Sequence, residues 1–336
     1  MTENNRRARI LATGSYVPEF ALTNEALCRM VDTSDEWIRE RTGIRERRIN
    51  PNLSNREMAS TAAKRALEMS GLSPLDLDMI ICSTITNDNY TPSLACYVQG
   101  DLGASNAFAF DINAGCSGFV YAMENASAFI SSSRPNAKAV NHVLIVCSEN
   151  LSRITDYTDR SSCVLFGDGA GAVIVGADEV GVLASYMRAD GKGANSIVAP
   201  ALTAATVTED GRVETAPPVE KPGLVMNGRE VYRFAVRAVP EAFEAGLKLA
   251  GLTADQLDYA ILHQANLRII NAVIDRLGLD PAKVPFTIDR YGNTSSACIP
   301  VLLDEMNRSG KLKRGDKLAI AGFGSGLTYG VIVTEW

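Results

Sequence analysis

A repeat within the chain limits its possible folds more than any other feature of the sequence. The segments RALEMSGLSPLDLDMIICST (65–84) and AGLKLAGLTADQLDYAILHQ (245–264) share a helical pattern, a Gly-Leu pair, a short link, a Leu-Asp pair and an apolar strand. Gly71, Leu72, Leu77, Asp78 and Ile81 return 180 positions later as Gly251, Leu252, Leu257, Asp258 and Ile261. Unrelated segments rarely share both spacing and turn residues, so the repeat favours a duplicated unit over chance similarity.

A second pair of segments supports the duplication. FGDGAGAVIV begins at Phe166 and FGSGLTYGVIV begins at Phe323, and each has Phe-Gly-x-Gly ahead of a strand rich in β-branched residues. Helical patterns that alternate with short Val/Ile-rich strands predict an α/β fold with mixed sheets covered by helices. We therefore expect two similar halves, residues 1–180 and 181–336.

The charge and hydropathy of the chain argue against several classes of protein. A net charge of -6 and a pI near 5.2 do not suit a nucleic-acid-binding protein, which normally presents a basic face. No apolar run approaches the roughly 18 residues that a membrane-spanning helix needs, and the start, MTENNRRARI, lacks the apolar core of a secretory signal. We expect a cytoplasmic protein with no membrane or nucleic-acid partner.

Neither the cysteines nor the glycines form a pattern that indicates a bound cofactor. The seven cysteines are scattered and have no CxxC spacing, so neither disulfides nor a zinc site are indicated. The segments GDGAG and GFGSG precede strands, whereas the dinucleotide-binding fingerprint opens a helix. These glycines indicate tight turns or backbone that closely approaches another segment.

Cys116 has a local context that favours reactivity. The segment AFAFDINAGCSGFVYAMENASAFI runs from an apolar strand through Gly115 into a helical pattern, which places Cys116 at a helix N-terminus. The N–H groups and the dipole there favour a thiolate, so we expect a pKa below the ordinary value of about 8.5. Without further evidence, a cysteine in this position is either a nucleophile or a small buried packing residue.

One of the two histidines, and one asparagine, lie in contexts that suit a site. His263 lies in LHQANLRII, where a strand ends and a helix begins. Asn293 lies in the Gly-Asn turn of DRYGNTSSACIP, which alone is equally typical of an ordinary turn or helix cap. His142, in NHVLIVC, precedes a strand, and we expect it to be structural.

Residues 190–223 interrupt the regular pattern of the second half. They combine Gly, Pro, Thr and charged residues without clear periodicity, which predicts a long surface excursion. Such an excursion either shapes an entrance or is a plain insertion, and the sequence assigns it no chemistry.

Together these segments resemble the β-ketoacyl-acyl carrier protein synthase III family, the initiating condensing enzymes of fatty acid synthesis. The resemblance covers nearly the whole chain through TGSYVPE, VDTSDEWIRERTGIRERR, the cysteine segment, FGDGAGA, HQANLRII and YGNTSSA. It implies a thiolase-like fold, with five αβαβα layers built from two duplicated halves, and a homodimer. The stretch around 195–222 is the main departure.

The resemblance also implies a mechanism. Cys116 takes an acyl group from acyl-coenzyme A, and malonyl-acyl carrier protein then loses CO₂ while His263 and Asn293 donate hydrogen bonds to its enolate oxygen. The backbone N–H groups of Cys116 and Ser325 form the oxyanion hole. Many relatives have glycine at the position of Ser325, but serine supplies the same donor where φ and ψ allow. Both thioesters are substrates, so no cofactor or metal is expected.

The binding contacts are implied by the same analogy. Trp37 and Arg41 are expected to sandwich the adenine of coenzyme A. The remaining residues expected along coenzyme A and its pantetheine arm are Thr33, Arg160, Gly228 and Asn266.

A set of arginines is expected to meet the acidic acyl carrier protein. Arg229, Arg233 and Arg237 fall four apart in NGREVYRFAVRAV and therefore share one helix face. Arg268 and Arg276 follow on the next helix and match or neighbour family positions that meet the carrier, whose encounter such charges would steer. For Arg237 and Arg276 a solvated helix face is the alternative.

Thr91 is expected to influence the choice of starter. In the family, the residue before the proline of NDNYTPSLACYVQ reaches across the dimer into the acyl pocket of the neighbour, and some members that prefer acetyl have Phe there. The smaller Thr91 predicts acceptance of starters longer or more branched than acetyl.

Two other functions are compatible with parts of this pattern. An acyltransferase of secondary metabolism would move the acyl group from Cys116 to an alcohol or amine, and it would not need the Asn293 motif. A non-catalytic partner subunit would be expected to lack the nucleophile. The complete set of Cys116, His263 and Asn293 favours the condensing enzyme.

Overall fold

Strands and helices alternate along most of the chain in the computed structural model, which describes residues 6–132, 137–199, 206–207, 212–214 and 223–336. The strands are β1 (Arg7–Tyr16), β2 (Ala21–Thr23), β3 (Glu46–Arg48), β4 (Met79–Ser83), β5 (Phe108–Ile112), β6 (His142–Glu149), β7 (Gly169–Asp178), β8 (Val182–Ala189), β9 (Ile197–Val198), β10 (Thr206–Val207), β11 (Val213–Glu214), β12 (Val225–Met226), β13 (Tyr259–Leu262), β14 (Lys317–Gly324) and β15 (Thr328–Glu335). The helices are α1 (Asn24–Leu27), α2 (Asp35–Thr42), α3 (Asn55–Ser70), α4 (Leu94–Leu102), α5 (Gly118–Ser131), α6 (Arg160–Cys163), α7 (Gly228–Ala250), α8 (Leu267–Leu277), α9 (Ile288–Tyr291) and α10 (Cys298–Arg308).

Two mixed sheets form the centre of the fold. The first has the strand order β1-β7-β6-β4-β5 and draws its strands from residues 7–178. The second has the order β13-β14-β15-β8 and draws its strands from residues 182–335. In the first sheet β4 is parallel to β5 and β6, and in the second β13 is parallel to β14. The mixed sheets predicted from the alternating patterns are therefore present.

Helices cover both sheets in five layers. Neighbouring side chains of one strand point to opposite faces, so Ile80 of β4 packs with α3 and α4 on the outside while Ile81 faces α5 and α10 in the middle. The second sheet repeats this arrangement, because Ile320 faces the middle helices and Ala319 packs with α7 and α8. The αβαβα layering expected from the sequence is confirmed.

The repeated sequence segments form the same local structure in both halves. Helices α3 and α7 end at Gly71 and Gly251, whose φ angles are 71° and 69°, a left-handed conformation that favours glycine. The Asp78 carboxylate accepts a hydrogen bond of 3.2 Å from the first backbone N–H of β6, and Asp258 accepts one of 2.8 Å from the first N–H of β14. Asp78 directly precedes β4 and thus links the start of β4 to β6. Asp258 directly precedes β13 and links the start of β13 to β14 in the same way.

The predicted excursion at residues 190–223 lies partly outside the described residues. Within the described part, a 3-10 helix spans Gly191–Ser196, and β9 pairs with β12. Among the helices of the described ranges, none combines the length and the apolar character needed to cross a membrane.

We expect Gly14→Ala to destabilise the fold. Helix α3 packs directly on Gly14 of β1, so an added Cβ would lie 2.3 Å from both the Ala62 carbonyl oxygen and the Ala66 nitrogen. Such overpacking should lower the free energy of unfolding by about 1 to 3 kcal/mol. Denaturant unfolding measures this change.

Gly100→Ala is the matched control for Gly14→Ala. Gly100 lies inside α4, and an added Cβ would meet no atom within 4 Å. Alanine is the better helix former by about 1 kcal/mol, so this variant should be neutral or slightly more stable. Equal losses in both variants would show that the contact between α3 and β1 is not as tight as described.

Candidate active site

Cys116 lies at the junction between β5 and α5. Residues Gly115–Ser117 form a 3-10 turn that continues into α5, so the cysteine is at the N-terminal end of a helix, as predicted. The end of β14 packs directly against it, since a Cβ on Gly324 would lie 2.6 Å from the Cys116 nitrogen. The glycine of the GFGSG segment therefore permits a close backbone approach, as its sequence context indicated.

The surroundings of Cys116 raise the pKa of its thiol. Burial raises this pKa to about 12, a hydrogen bond from the Ser295 hydroxyl opposes the shift, and the nearby Glu149 carboxyl adds to it. The expectation of a pKa below the ordinary value is therefore wrong for the free chain, because lost hydration outweighs the effect of the helix N-terminus. Cys116 is a protonated thiol in this state.

Glu149 is a buried carboxyl group beside Cys116 that was not predicted from the sequence. Its side chain accepts hydrogen bonds from the Thr86 hydroxyl at 2.7 Å and from a backbone N–H at 3.1 Å. The hydroxyls of Ser295 and Ser296 each lie 3.3 Å from its Oε1. Burial raises the pKa of Glu149 to about 7, and these hydrogen bonds oppose the shift. An acidic residue that ends the apolar strand β6 was the signal available in the sequence.

His263 directly follows β13 and is almost completely buried. Its Nδ1 lies 3.0 Å from the Cys298 sulfur, and its ring meets the Phe323 ring edge-on with 5.1 Å between the ring centres. Burial lowers the pKa of His263 to about 3. The imidazole is therefore neutral at pH 7 and has one N–H group to donate.

The backbone of Asn293 is held by hydrogen bonds to the two residues that flank Phe166, at the start of the FGDGAGA segment. Its N–H donates to the Leu165 carbonyl at 2.9 Å, and its carbonyl accepts from the Gly167 N–H at 3.0 Å. The side-chain oxygen accepts a 2.8 Å hydrogen bond from the Ser295 N–H. Because the amide oxygen is occupied in this way, the NH₂ group is the end available to donate to a ligand.

These groups meet in one cavity with a volume of about 320 Å³. The predicted site residues that line it are Trp37, Arg41, Cys116, Gly228, His263, Asn266, Asn293 and Ser325. Apolar side chains such as Leu151, Phe166 and Leu224 form much of the remaining wall. The structure thus places a thiol and side-chain donors from both halves of the chain against the same apolar space.

The backbone at Ser325 is compatible with the expected oxyanion hole. Its hydroxyl donates to the Ile197 carbonyl at 2.9 Å. Among the described residues other than glycine, Ser295 alone has a positive φ. Ser325 therefore has a conformation open to any residue, and replacing the glycine of many relatives causes no strain.

Trp37 and Arg41 line the cavity, but the Trp37 ring already has a cationic neighbour. The Arg160 guanidinium lies 5.0 Å from the Trp37 ring centre. The Asn266 amide donates to the Arg41 carbonyl at 3.0 Å, which links α8 to α2. Thr33 and Arg160 are outside the cavity lining, and the Thr33 hydroxyl is buried without a hydrogen-bond partner among the described residues.

Thr91 lies apart from this cavity within the chain. It lines a second, more open cavity together with Asp111 and Arg153. The predicted contact of Thr91 is with the acyl pocket of a neighbouring protomer, so it stays a prediction.

Four of the arginines expected to meet the carrier protein, Arg233, Arg237, Arg268 and Arg276, are exposed on α7 and α8. A hydrogen bond of 3.3 Å from Arg276 to the Val236 carbonyl joins the two helices, and Arg268 lies 5.9 Å from the Tyr232 ring centre. Tyr232 also lines the cavity. The arginine face, defined as Arg233, Arg237, Arg268 and Arg276, therefore lies next to the cavity wall.

Comparisons with known proteins show the family of the chain. The family described as 3-oxoacyl-[acyl-carrier-protein (ACP)] synthase III matches residues 110–191, and its C-terminal part matches residues 247–336. The β-ketoacyl-[acyl-carrier-protein] synthase III of Clostridium acetobutylicum is 44% identical over 328 residues, which cover 97% of this chain and 98% of that protein. This chain belongs to the 3-oxoacyl-[acyl-carrier-protein] synthase III family.

Solved structures of the synthase III family confirm the thiolase-like fold. The 3-oxoacyl-[acyl-carrier-protein] synthase III of Aquifex aeolicus has a TM-score of 0.89 and 42% identity, covering 98% of this chain and all (100%) of that one. The priming β-ketosynthase of the R1128 polyketide biosynthetic pathway has a TM-score of 0.87 and 38% identity, covering 99% of this chain and 97% of that one. The resemblance seen in the sequence motifs is therefore confirmed.

We expect Glu149→Gln to remove a pH-dependent loss of stability from this chain. The pKa of Glu149 is about 7 in the folded chain and has an ordinary value of 4.5, so between these values the folded state keeps a proton that the unfolded state releases. Its contribution to stability is therefore fully present below the lower value and falls by about 3 kcal/mol as the pH rises through the folded pKa.

Denaturant unfolding across this pH window checks the expectation. The free energy of unfolding of Glu149→Gln minus that of the unmodified chain should increase as the pH rises, because only the unmodified chain loses the contribution of Glu149. Glu244→Gln, on the exposed face of α7, is the matched control and should show a constant difference. A constant difference for Glu149→Gln as well would contradict the prediction.

Proposed function

We propose that the chain catalyses the decarboxylating Claisen condensation of an acyl-coenzyme A starter with malonyl-acyl carrier protein through an acyl-Cys116 intermediate. The products are β-ketoacyl-acyl carrier protein, coenzyme A and CO₂. The main support is that Cys116, His263 and Asn293 line one apolar cavity. Membership of the synthase III family points to the same reaction, in the initiation of fatty acid synthesis or a related pathway.

In the first half-reaction Cys116 becomes acylated. Its sulfur attacks the thioester carbon of the starter, the bond from that carbon to the coenzyme A sulfur breaks, and coenzyme A leaves with the proton that Cys116 gives up. The backbone N–H groups of Cys116 and Ser325 hold the oxyanion of the tetrahedral intermediate. Because burial disfavours a free thiolate, the thiol loses its proton as it attacks the bound substrate.

In the second half-reaction the malonyl group loses CO₂ and its thioester becomes an enolate. His263 and Asn293 donate hydrogen bonds to the enolate oxygen, and one such donor in a preorganised site contributes about 3 kcal/mol. The enolate carbon then attacks the acyl carbon on Cys116. The bond to sulfur breaks, and the sulfur regains a proton from solvent.

The substrates bind through different parts of the cavity wall and surface. We assign the adenine of coenzyme A to Trp37 and Arg41. Contacts with the rest of coenzyme A and its pantetheine arm are assigned to Thr33, Arg160, Gly228 and Asn266. The arginine face has the charge to attract an acidic carrier protein and lies beside the cavity through which the pantetheine arm enters.

The proposal also covers the oligomeric state, the cellular location and the choice of starter. We expect a homodimer in the cytoplasm, built from protomers whose halves are residues 1–180 and 181–336. In such a dimer Thr91 would border the neighbouring acyl pocket and admit starters longer or more branched than acetyl. All electrons and protons of both half-reactions are supplied by substrates, side chains and solvent, so the proposal includes no resident cofactor.

Separate assays of the two half-reactions test the assignment. Cys116→Ala should abolish acyl transfer from acyl-coenzyme A. His263→Ala and Asn293→Ala should still become acylated, but each should lower the rate of CO₂ release from malonyl-carrier protein by about 100-fold or more, since each lacks one enolate donor. Loss of labelled CO₂ and the mass of the acyl-enzyme are the readouts.

His142→Ala is the matched histidine control for these assays. His142 begins β6, and its Nδ1 lies 3.2 Å from the Asp76 carbonyl, outside the cavity lining, so both half-reactions should keep their rates. Condensation retained in Cys116→Ala would contradict the proposal. An acyl-enzyme that does not react with malonyl-carrier protein but transfers its acyl group to an alcohol or amine would favour the acyltransferase alternative.

A further inference from the structure

Cys298 is a buried thiol that contacts His263 and has no part in the mechanism above. It is the first residue of α10 and is 2% exposed. Its sulfur lies 3.0 Å from Nδ1 of His263 and 3.3 Å from the backbone nitrogen of Gln264. The chemistry of these two contacts decides which atom donates in each.

The contact with Gln264 makes the sulfur an acceptor, because a backbone N–H group can only donate. Burial raises the pKa of the Cys298 thiol, so the sulfur also keeps its own proton, which it can donate as a weak hydrogen bond. The Gln264 side chain is already engaged with the Thr287 N–H at 3.0 Å and the Leu262 carbonyl at 2.6 Å. Among the described contacts of the thiol, Nδ1 of His263 is the atom that can accept.

An acceptor at Nδ1 determines where the histidine proton lies. A neutral imidazole has a proton on one nitrogen and a lone pair on the other. Burial lowers the pKa of His263 to about 3, which keeps the ring neutral at physiological pH. If Nδ1 accepts from Cys298, the proton is on Nε2.

We propose that Cys298 is a positioning residue that fixes His263 as the Nε2–H tautomer, the form able to donate into the cavity. This inference rests on the proposed function, in which His263 donates to the enolate oxygen of the malonyl thioester. With the proton on Nδ1, the ring would present a lone pair to the enolate and repel it. The edge contact with Phe323 orients the ring plane, whereas Cys298 selects the protonated nitrogen.

Nitrogen NMR of the full chain tests the tautomer directly. The chain has two histidines, so nitrogen-15 labelling of the imidazoles gives two ring systems, and His142→Gln assigns them. We expect a protonated Nε2 and an unprotonated Nδ1 for His263 in the unmodified chain and in Cys298→Ser. Cys298→Ala should show a measurable fraction of Nδ1–H. A proton on Nδ1 in the unmodified chain, or no change in Cys298→Ala, would overturn the proposal.

Separate rates of the two half-reactions distinguish a positioning role of Cys298 from a packing role. Cys298→Ala should slow malonyl decarboxylation at least about tenfold by weakening one enolate donor, while acylation of Cys116 keeps its rate. Cys298→Ser should restore decarboxylation, because its hydroxyl can donate to Nδ1. Equal losses of both half-reactions in both variants would assign Cys298 to packing and overturn the proposal.

The failure of this inference can be told apart from failure of the proposed function. If the unmodified chain does not release CO₂ from malonyl-carrier protein, the proposed function fails, and the nitrogen spectrum still reports the position of the proton. If the chain releases CO₂ normally with its proton on Nδ1, the role of Cys298 alone fails. Thermal unfolding of both Cys298 variants verifies that they are folded.

Discussion

The backbone of Cys116 meets the end of the second sheet so closely that no side chain fits between them. A Cβ at Gly324 would lie 2.6 Å from the Cys116 nitrogen, and a Cβ at Gly118, two residues after Cys116, would lie 1.8 Å from the Ser83 hydroxyl. These contacts fix the start of α5 between the two sheets. The nucleophile candidate from one half can therefore face the histidine and asparagine of the other, which requires both halves to pack as one core.

Burial at this junction changes the chemistry of each titratable group in a definite direction. It raises the pKa of Cys116 to about 12 and that of Glu149 to about 7, and it lowers that of His263 to about 3. The cavity is therefore poor at holding free charge before substrate arrives. Hydrogen-bond donors act more strongly in such a low-dielectric site than in water. In the proposed reaction, the hydrogen bonds that His263 and Asn293 donate would therefore offset the cost of forming an enolate oxygen in this cavity.

Local sequence patterns predicted mixed sheets covered by helices and the position of Cys116 at a helix N-terminus, because repeats and strand periodicity are properties of short segments. The five-layer arrangement was implied by the family resemblance. The pKa of Cys116 could not be predicted in this way. It depends first on burial by the packing of the two halves, and then on Ser295 and Glu149, which reach the thiol from distant parts of the chain. Cys298 shows the same limit, since its contact with His263 joins a helix start to a strand end. Tertiary contacts, unlike local pattern, determine protonation.

Intact mass spectrometry of the unmodified protein tests the central claim most directly. The protein would be incubated with a mixed pool of acyl-coenzyme A thioesters, and its intact mass would be measured before and after addition of malonyl-carrier protein. Peptide digestion would identify the residue that carries the acyl group. The account predicts one acyl group on the Cys116 peptide that disappears as β-ketoacyl-carrier protein forms. No adduct, an adduct on another cysteine, or an adduct that malonyl-carrier protein leaves in place would contradict it.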